Sequence, residues 1–196
     1  MTQIKINKSN ILDFKTDALV LGVFEKTEKF KGLLAELDEV FQNKISNLYS
    51  ENEIRGKLGE ITIIHNFVDF SAERLVIVGL GKLEEFDADV VRKVSSSVLN
   101  RLNGINLKQV SFSLIGSDLI GIFNSAKSIT EGSLLGLYRF EKYKSKPTGV
   151  SIKSIDLIGF GIENENQVQD AVNQGEIISE SVNLSRNLSN EPSNKM

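Results

Sequence analysis

The sequence predicts an α/β fold, a three-layer sandwich in which helices flank a mixed, mostly parallel sheet, followed by a long connecting helix. Three observations predict it. Short apolar runs alternate with segments of helical periodicity along the whole chain, as they do where crossover helices join strands of one sheet. Two of those runs, residues 18–24 and 74–79, are apolar almost without interruption, the pattern of strands buried on both faces. Two strand patterns follow one another at the start without a helix between them, which favours a mixed over a wholly parallel sheet.

The elements follow in order. Residues 3–7 alternate in polarity and form a short strand, and 18–24 form a central one. From Phe30 to about Tyr49, Leu33, Leu34, Leu37, Val40, Phe41, Ile45 and Leu48 recur at steps of three and four, which predicts one amphipathic helix over the sheet. Residues 59–67 alternate around Ile61, Ile63 and Ile64, and 74–79 supply the strand expected to pair with them. Asp87 is placed to cap a helix carrying Val90, Val91, Val94, Val98 and Leu102, with Gly104 as its stop. A strand at 110–115 comes next. Residues 122 to roughly 143 read as a helix in which Gly132 and Gly136 share one face and permit close backbone approach. A last strand covers 154–160. A long helix then starts after Asn164, with Val168, Ala171, Val172, Gly175, Ile178 and Val182 along one stripe. Gly, Asn and Glu break the pattern between 161 and 166, so the expected division is a domain over 1–162 and a connector over 163–196.

Composition excludes several classes. The 196 residues are 40% hydrophobic and 25% charged, ordinary globular usage, enough for one domain and an appendage. With a net charge of −3 there is no broad cationic surface for nucleic acid. The chain has no cysteine, hence no disulfide and no thiolate chemistry, which suits a reducing, cytoplasmic setting. No stretch reaches the ~18 apolar residues of a spanning helix, so a membrane partner is not expected.

Candidate chemistry is sparse. The single histidine, His65, lies in a strand pattern without a spaced partner and reads as structural. No serine has the surroundings of a nucleophile. Asp87, Asp89, Glu163 and Glu165 stand where helix starts favour negative charge, so no metal ligand and no catalytic residue is assigned. Gly79, Gly81 and Lys82 sit in a turn between strand and helix, where backbone amides could cradle a phosphate. The signal is weak, because a dinucleotide fingerprint would need glycine where Glu84 stands, and a structural turn is the simpler reading. The same holds for Gly159 and Gly161. Arg139, Lys142, Lys144 and Lys146 form a basic run with Phe140 and Tyr143; at a helix C-terminus such cations offset the macrodipole and the rings pack, so nucleic acid is disfavoured.

Three segments carry a resemblance. Residues 131–144 read E-G-S-L-L-G-L-Y-R-F-E-K-Y-K, and Arg186, Asn190, Pro192 and Asn194 fall in the run R-N-L-S-N-E-P-S-N. Between Arg74 and Leu102 a strand, a G-L-G-K turn and a helix succeed one another. This order resembles the leucyl (cytosol) aminopeptidases, two-metal exopeptidases, whose amino-terminal domain is macro-like. The resemblance implies that the chain is that domain plus the start of the catalytic one, with Arg186, Asn190, Pro192 and Asn194 as the linker motif. It implies two divalent ions, zinc or manganese, held in a catalytic domain beyond this chain. The family's K-G-x-T-F-D-S-G-G and N-T-D-A-E-G-R ligand runs do not occur here. The implied partners are that catalytic domain, a hexamer of copies and, for the whole enzyme, peptides from which leucine is released; the chain by itself is expected to be inactive. The alternative is a free-standing macro-like module for ADP-ribose or a related phosphate ligand, at Gly79, Gly81 and Lys82.

Overall fold

A computed structural model describes residues 2–65 and 70–193. Its six strands, β1 (Gln3–Asn7), β2 (Ala18–Val23), β3 (Ile61–His65), β4 (Arg74–Gly79), β5 (Gln109–Ser113) and β6 (Ser154–Ile158), lie in the order β1-β6-β5-β2-β4-β3. The sheet is mixed, but not for the reason the sequence suggested. β1 and β2 are separated by β6 and β5, and every neighbouring pair is parallel except β3 with β4. The expected β3 and β4 pairing is therefore the antiparallel one, with β3 at the edge.

Period-two alternation splits the buried residues between two layers. On one face, Ala18, Val20, Val76, Val78, Val110, Phe112, Ile155 and Leu157 belong to one apolar cluster with residues of α3 (Ala88–Asn103), α5 (Ile122–Gly136) and α6 (Glu165–Asn190). On the other face, Leu19, Leu21, Val23, Leu75 and Ile77 meet Leu37, Phe41 and Ile45 of the α1 (Gly32–Val40) and α2 (Lys44–Ser50) region. A short α4 (Ser117–Ile120) precedes α5. The first half of α6 is part of the sandwich, because Val168, Ala171 and Val172 are buried in the same cluster as Phe112.

Two expected helices are shorter than their apolar patterns. The stripe over 30–49 is broken into α1 and α2 by Gln42 and Asn43, both at positive φ. The buried Asp38 carboxylate stabilises the break by accepting from the Ile45 and Ser46 amides at 2.9 and 3.0 Å, donors a helix start would leave unmet. The helix over 122–143 stops at Gly136, where Arg139 turns back and donates to the Gly136 and Tyr138 carbonyls. Asp87 caps α3 as expected, accepting from the Val90 amide at 2.9 Å.

One buried carboxylate is held against its preference. Asp156 is 3% exposed in the middle of β6, and accepts from Gln109 Nε2 at 3.0 Å. Burial pushes its pKa up, opposed by the Gln109 hydrogen bond and the Lys5 charge. A raised carboxyl contributes stability that is complete below the unfolded pKa, ~3.9, and that is lost as pH rises through the folded value. Urea midpoints measured across acid to neutral pH should fall for the wild type relative to Asp156→Asn; a difference that stays constant with pH would contradict this.

Candidate functional site

The carboxyl ends of the parallel strands share one rim, and open α/β sheets bind ligands there, where the connections diverge to opposite faces. Here that point lies between β2, which leads to α1, and β5, which leads to α4 and α5. It is filled. Phe24 and Phe86 meet edge to face with centroids 5.1 Å apart, and a Cβ on Gly116 would stand 2.2 Å from the Phe86 ring. The neighbouring glycine turn is also committed. The Gly79, Leu80 and Gly81 amides donate to the Glu60, Val23 and Gly56 carbonyls, each at 2.8 Å. A Cβ on Gly79 would lie 2.0 Å from the Lys57 carbonyl oxygen, so glycine is required there for backbone to meet backbone. Lys82 pairs with Glu85 at 2.9 Å. These amides are spent inside the fold.

At the far end of α5 and α6 the structure joins two segments that the sequence singled out separately. Arg186 donates to the Leu135 carbonyl at 3.0 Å, and its guanidinium lies 5.3 Å from the centre of the Tyr138 ring. The Tyr138 hydroxyl donates to Asn187 Oδ1 at 2.9 Å and accepts from Asn190 Nδ2 at 3.3 Å. One residue on, Glu191 accepts from Lys142 Nζ at 2.7 Å and from the Tyr143 hydroxyl. The Lys142 hydrogen bond, then that of Tyr143, hold the Glu191 carboxyl below its usual range. Pro192 sets where α6 ends, since the residue before proline is forced out of the helical region and Glu191 is extended, at φ −71° and ψ 126°. Asn194 lies outside the described residues.

Around Tyr138 and Tyr143 the chain is held by a second carboxylate. Glu141 accepts from the Thr148 hydroxyl at 2.6 Å, the Gly149 amide at 2.8 Å and the Thr148 amide at 3.1 Å, and pairs with Lys144 at 3.2 Å. The basic run thus does not neutralise a helix end as expected. α5 has already stopped, only Arg139 of the run reaches one of its last carbonyls, beside Arg186 at Leu135, and Lys142 and Lys144 each answer a carboxylate.

Arg186, Asn190 and Pro192 are therefore brought together with Tyr138, Lys142 and Tyr143, whereas Gly79, Gly81 and Lys82 lie elsewhere, at the carboxyl rim. Tyr138, Asn187 and Glu191 were not singled out as site residues. The available signal was that Tyr138 and Glu191 sit inside the two motif runs. His65 closes β3, exposed and opposite Arg74. No group of three or more His, Asp or Glu among the described residues could hold a metal ion, so the residues present do not fit a two-ion centre. No described helix is long and apolar enough to cross a membrane.

A family model described as the cytosol aminopeptidase family, N-terminal domain, matches residues 20–147, which include the Tyr138 side of this contact. The chain belongs to the cytosol aminopeptidase family. A "Probable cytosol aminopeptidase" of Sulfurihydrogenibium sp. (strain YO3AOP1) is 28% identical over 192 residues, 98% of this chain and 38% of the relative. One of Solibacter usitatus (strain Ellin6076) is 31% identical over 193 residues, 98% of this chain and 36% of the relative. The chain thus spans less than two fifths of the length of these two relatives. Among solved structures, a variant of tomato leucine aminopeptidase superposes with a TM-score of 0.82 at 21% identity, over 100% of this chain and 40% of that one. A Trypanosoma brucei macrodomain in complex with ADP-ribose gives 0.65 at 13% identity, over 86% of this chain and 68% of that one. Both likenesses bear on fold, and the macro-like architecture of this cytosol aminopeptidase domain agrees with the sequence reading.

The hydrogen bonds to Glu141, led by the Thr148 hydroxyl, lower its pKa to about 2. A lowered carboxyl contributes stability above the unfolded pKa and loses it as pH falls through the folded value. In a carbon-detected titration the Glu141 carboxyl should titrate near that value, and Thr148→Val should move it up toward the ordinary glutamate range; titration in that range in the wild type would contradict the geometry.

Proposed function

We propose that this chain is the non-catalytic amino-terminal domain of a two-metal leucyl aminopeptidase, and that its work is to fix the path by which the polypeptide reaches the catalytic half. In this reading residues 1–162 form the amino-terminal unit and 163–196 the connector, whose first half is docked on the unit's own core. The single observation that carries the reading is the contact between the two motif segments, in which Arg186, Asn187, Asn190 and Glu191 are gripped by Tyr138, Lys142 and Tyr143. Such a contact sets the direction of the last turns of α6.

A second feature supports it. Ile177, Leu184 and Leu188 recur at helical spacing along α6 and are 65%, 60% and 57% exposed, an apolar stripe suited to a packed partner. The catalytic half is the partner proposed. Its ions, zinc or manganese, would be held by residues outside those described here, and the whole enzyme would remove amino-terminal residues such as leucine from peptides, in the cytosol and as a hexamer.

The macrodomain likeness favours one other reading, a module for ADP-ribose at Gly79, Gly81 and Lys82. Against it stand the spent amides of that turn and the aromatic filling beside Gly116.

Purified chain should leave leucine p-nitroanilide intact with manganese or zinc added, and titration with ADP-ribose should give no heat. Sustained release of nitroaniline would overturn the non-catalytic reading. Saturable heat with ADP-ribose, lost on Lys82→Ala, would favour the module.

A further inference from the structure

One cleft lies away from the carboxyl rim. It opens beside the motif contact, between α5, α6 and the approaches to β1 and β6, with a volume of about 390 Å³, within the ~300–1,000 Å³ of small-molecule sites. Leu134, Leu137, Val150 and Ile152 form its apolar lining. Ser179 also lines it, and this side chain is 1% exposed with a hydroxyl that has no hydrogen-bond partner. A buried hydroxyl without a partner is a standing cost that a ligand with a polar group can remove.

Charge completes the pattern. Lys153 and Glu180 line the same cleft, both exposed, and neither forms an ion pair with the other or with any described residue. The Lys153 ammonium has only a long contact, 3.4 Å, to the Val150 carbonyl. A cation and an anion, neither ion-paired with a described residue, border one apolar lining and complement a molecule that carries both charges beside an apolar side chain.

We propose that this cleft binds a free α-amino acid with a leucine-sized apolar side chain, as the zwitterion. Its carboxylate meets Lys153, its ammonium meets Glu180, its side chain enters between Leu134, Leu137, Val150 and Ile152, and the Ser179 hydroxyl bonds its polar end. An amino acid of this kind is what the proposed parent enzyme would release. Tyr138 is at once a wall of the cleft and the centre of the contact with Arg186, Asn187 and Asn190, so occupancy is passed to the connector. That last consequence rests on the architectural reading above; the binding itself does not.

The test is a titration of the nitrogen-labelled chain with L-leucine to millimolar concentration, followed by amide shifts and calorimetry. Shifts should cluster at residues 134–138, 150–153 and 179–183. Leucinamide, without the carboxylate, and N-acetyl-leucine, without the ammonium, should each bind about tenfold or more weakly, as charge-assisted bonds are lost, and glycine should not bind detectably. Lys153→Met and Glu180→Gln, exposed positions whose unchanged urea midpoints would verify folding, should each weaken leucine to a similar extent. No shift with leucine, equal binding of the blocked analogues, or full affinity in both variants would each overturn the site. Binding without any change at Asn187 and Asn190 would sink the link to the connector and leave the site standing. Turnover of leucine p-nitroanilide bears on the architectural reading alone.

Discussion

The arrangement of this domain depends on how closely three helices approach one another on one face of the sheet. A Cβ on Gly132 would stand 2.3 Å from the Arg92 carbonyl oxygen, one on Gly136 would meet Ser96 at 2.4 Å, and one on Gly175 would meet Thr130 at 2.8 Å. α3 and α5 therefore meet backbone against backbone at Gly132, while Gly136 and Gly175 seat the Ser96 and Thr130 side chains, and a side chain at any of the three would force its neighbour to shift. Forcing even a methyl group into such a contact typically costs ~1–3 kcal/mol. The buried Glu131, paired with Arg92, fixes the same α3 to α5 contact electrostatically. Because α6 packs chiefly on α5 within this stack, contacts made by its far end inherit that geometry.

That inheritance explains why the two motif segments meet. Gly132, Gly136 and Tyr138 occupy one motif, and the glycines bring α5 to the depth at which Tyr138 reaches Arg186, Asn187 and Asn190. The last turns of α6 contribute little apolar burial of their own, since Leu184 and Leu188 face outward. A helix end of that kind frays unless something holds it. Here the holding is polar and aromatic, with Lys142 and Tyr143 closing on Glu191 where Pro192 ends the helix. The opposite rim differs: its turn amides bond within the fold and Phe86 stands against Gly116, so architecture shared with a macrodomain is not by itself a shared ligand site.

The strands were legible because burial on both faces writes itself into short apolar runs, and α3 because Asp87 and its valines obey local rules. Where the reading failed, a local pattern continued past a tertiary event. Apolar spacing runs unbroken through 30–49, and only the Asp38 carboxylate, bonding seven and eight residues ahead, reveals the break. Tyr138, Phe140 and Tyr143 prolong a helical pattern beyond Gly136, although the hydroxyls of Tyr138 and Tyr143 find their partners about fifty residues downstream. The sheet was correctly expected to be mixed, yet the antiparallel pair is β3 with β4, because crossover connections, not succession at the start, decide which strands are neighbours. Of the site, the motif residues could be named from sequence, but their contact could not, since nothing local in either segment encodes the other.

The central claim is that Tyr138 holds the end of α6, and amide hydrogen exchange tests it most directly. Wild-type amides over residues 183–190 should exchange more slowly than a solvent-exposed helix end would, and Tyr138→Leu should speed their exchange while leaving residues 168–175, buried in the core, unchanged. Equal exchange over 183–190 in the two proteins would contradict the account.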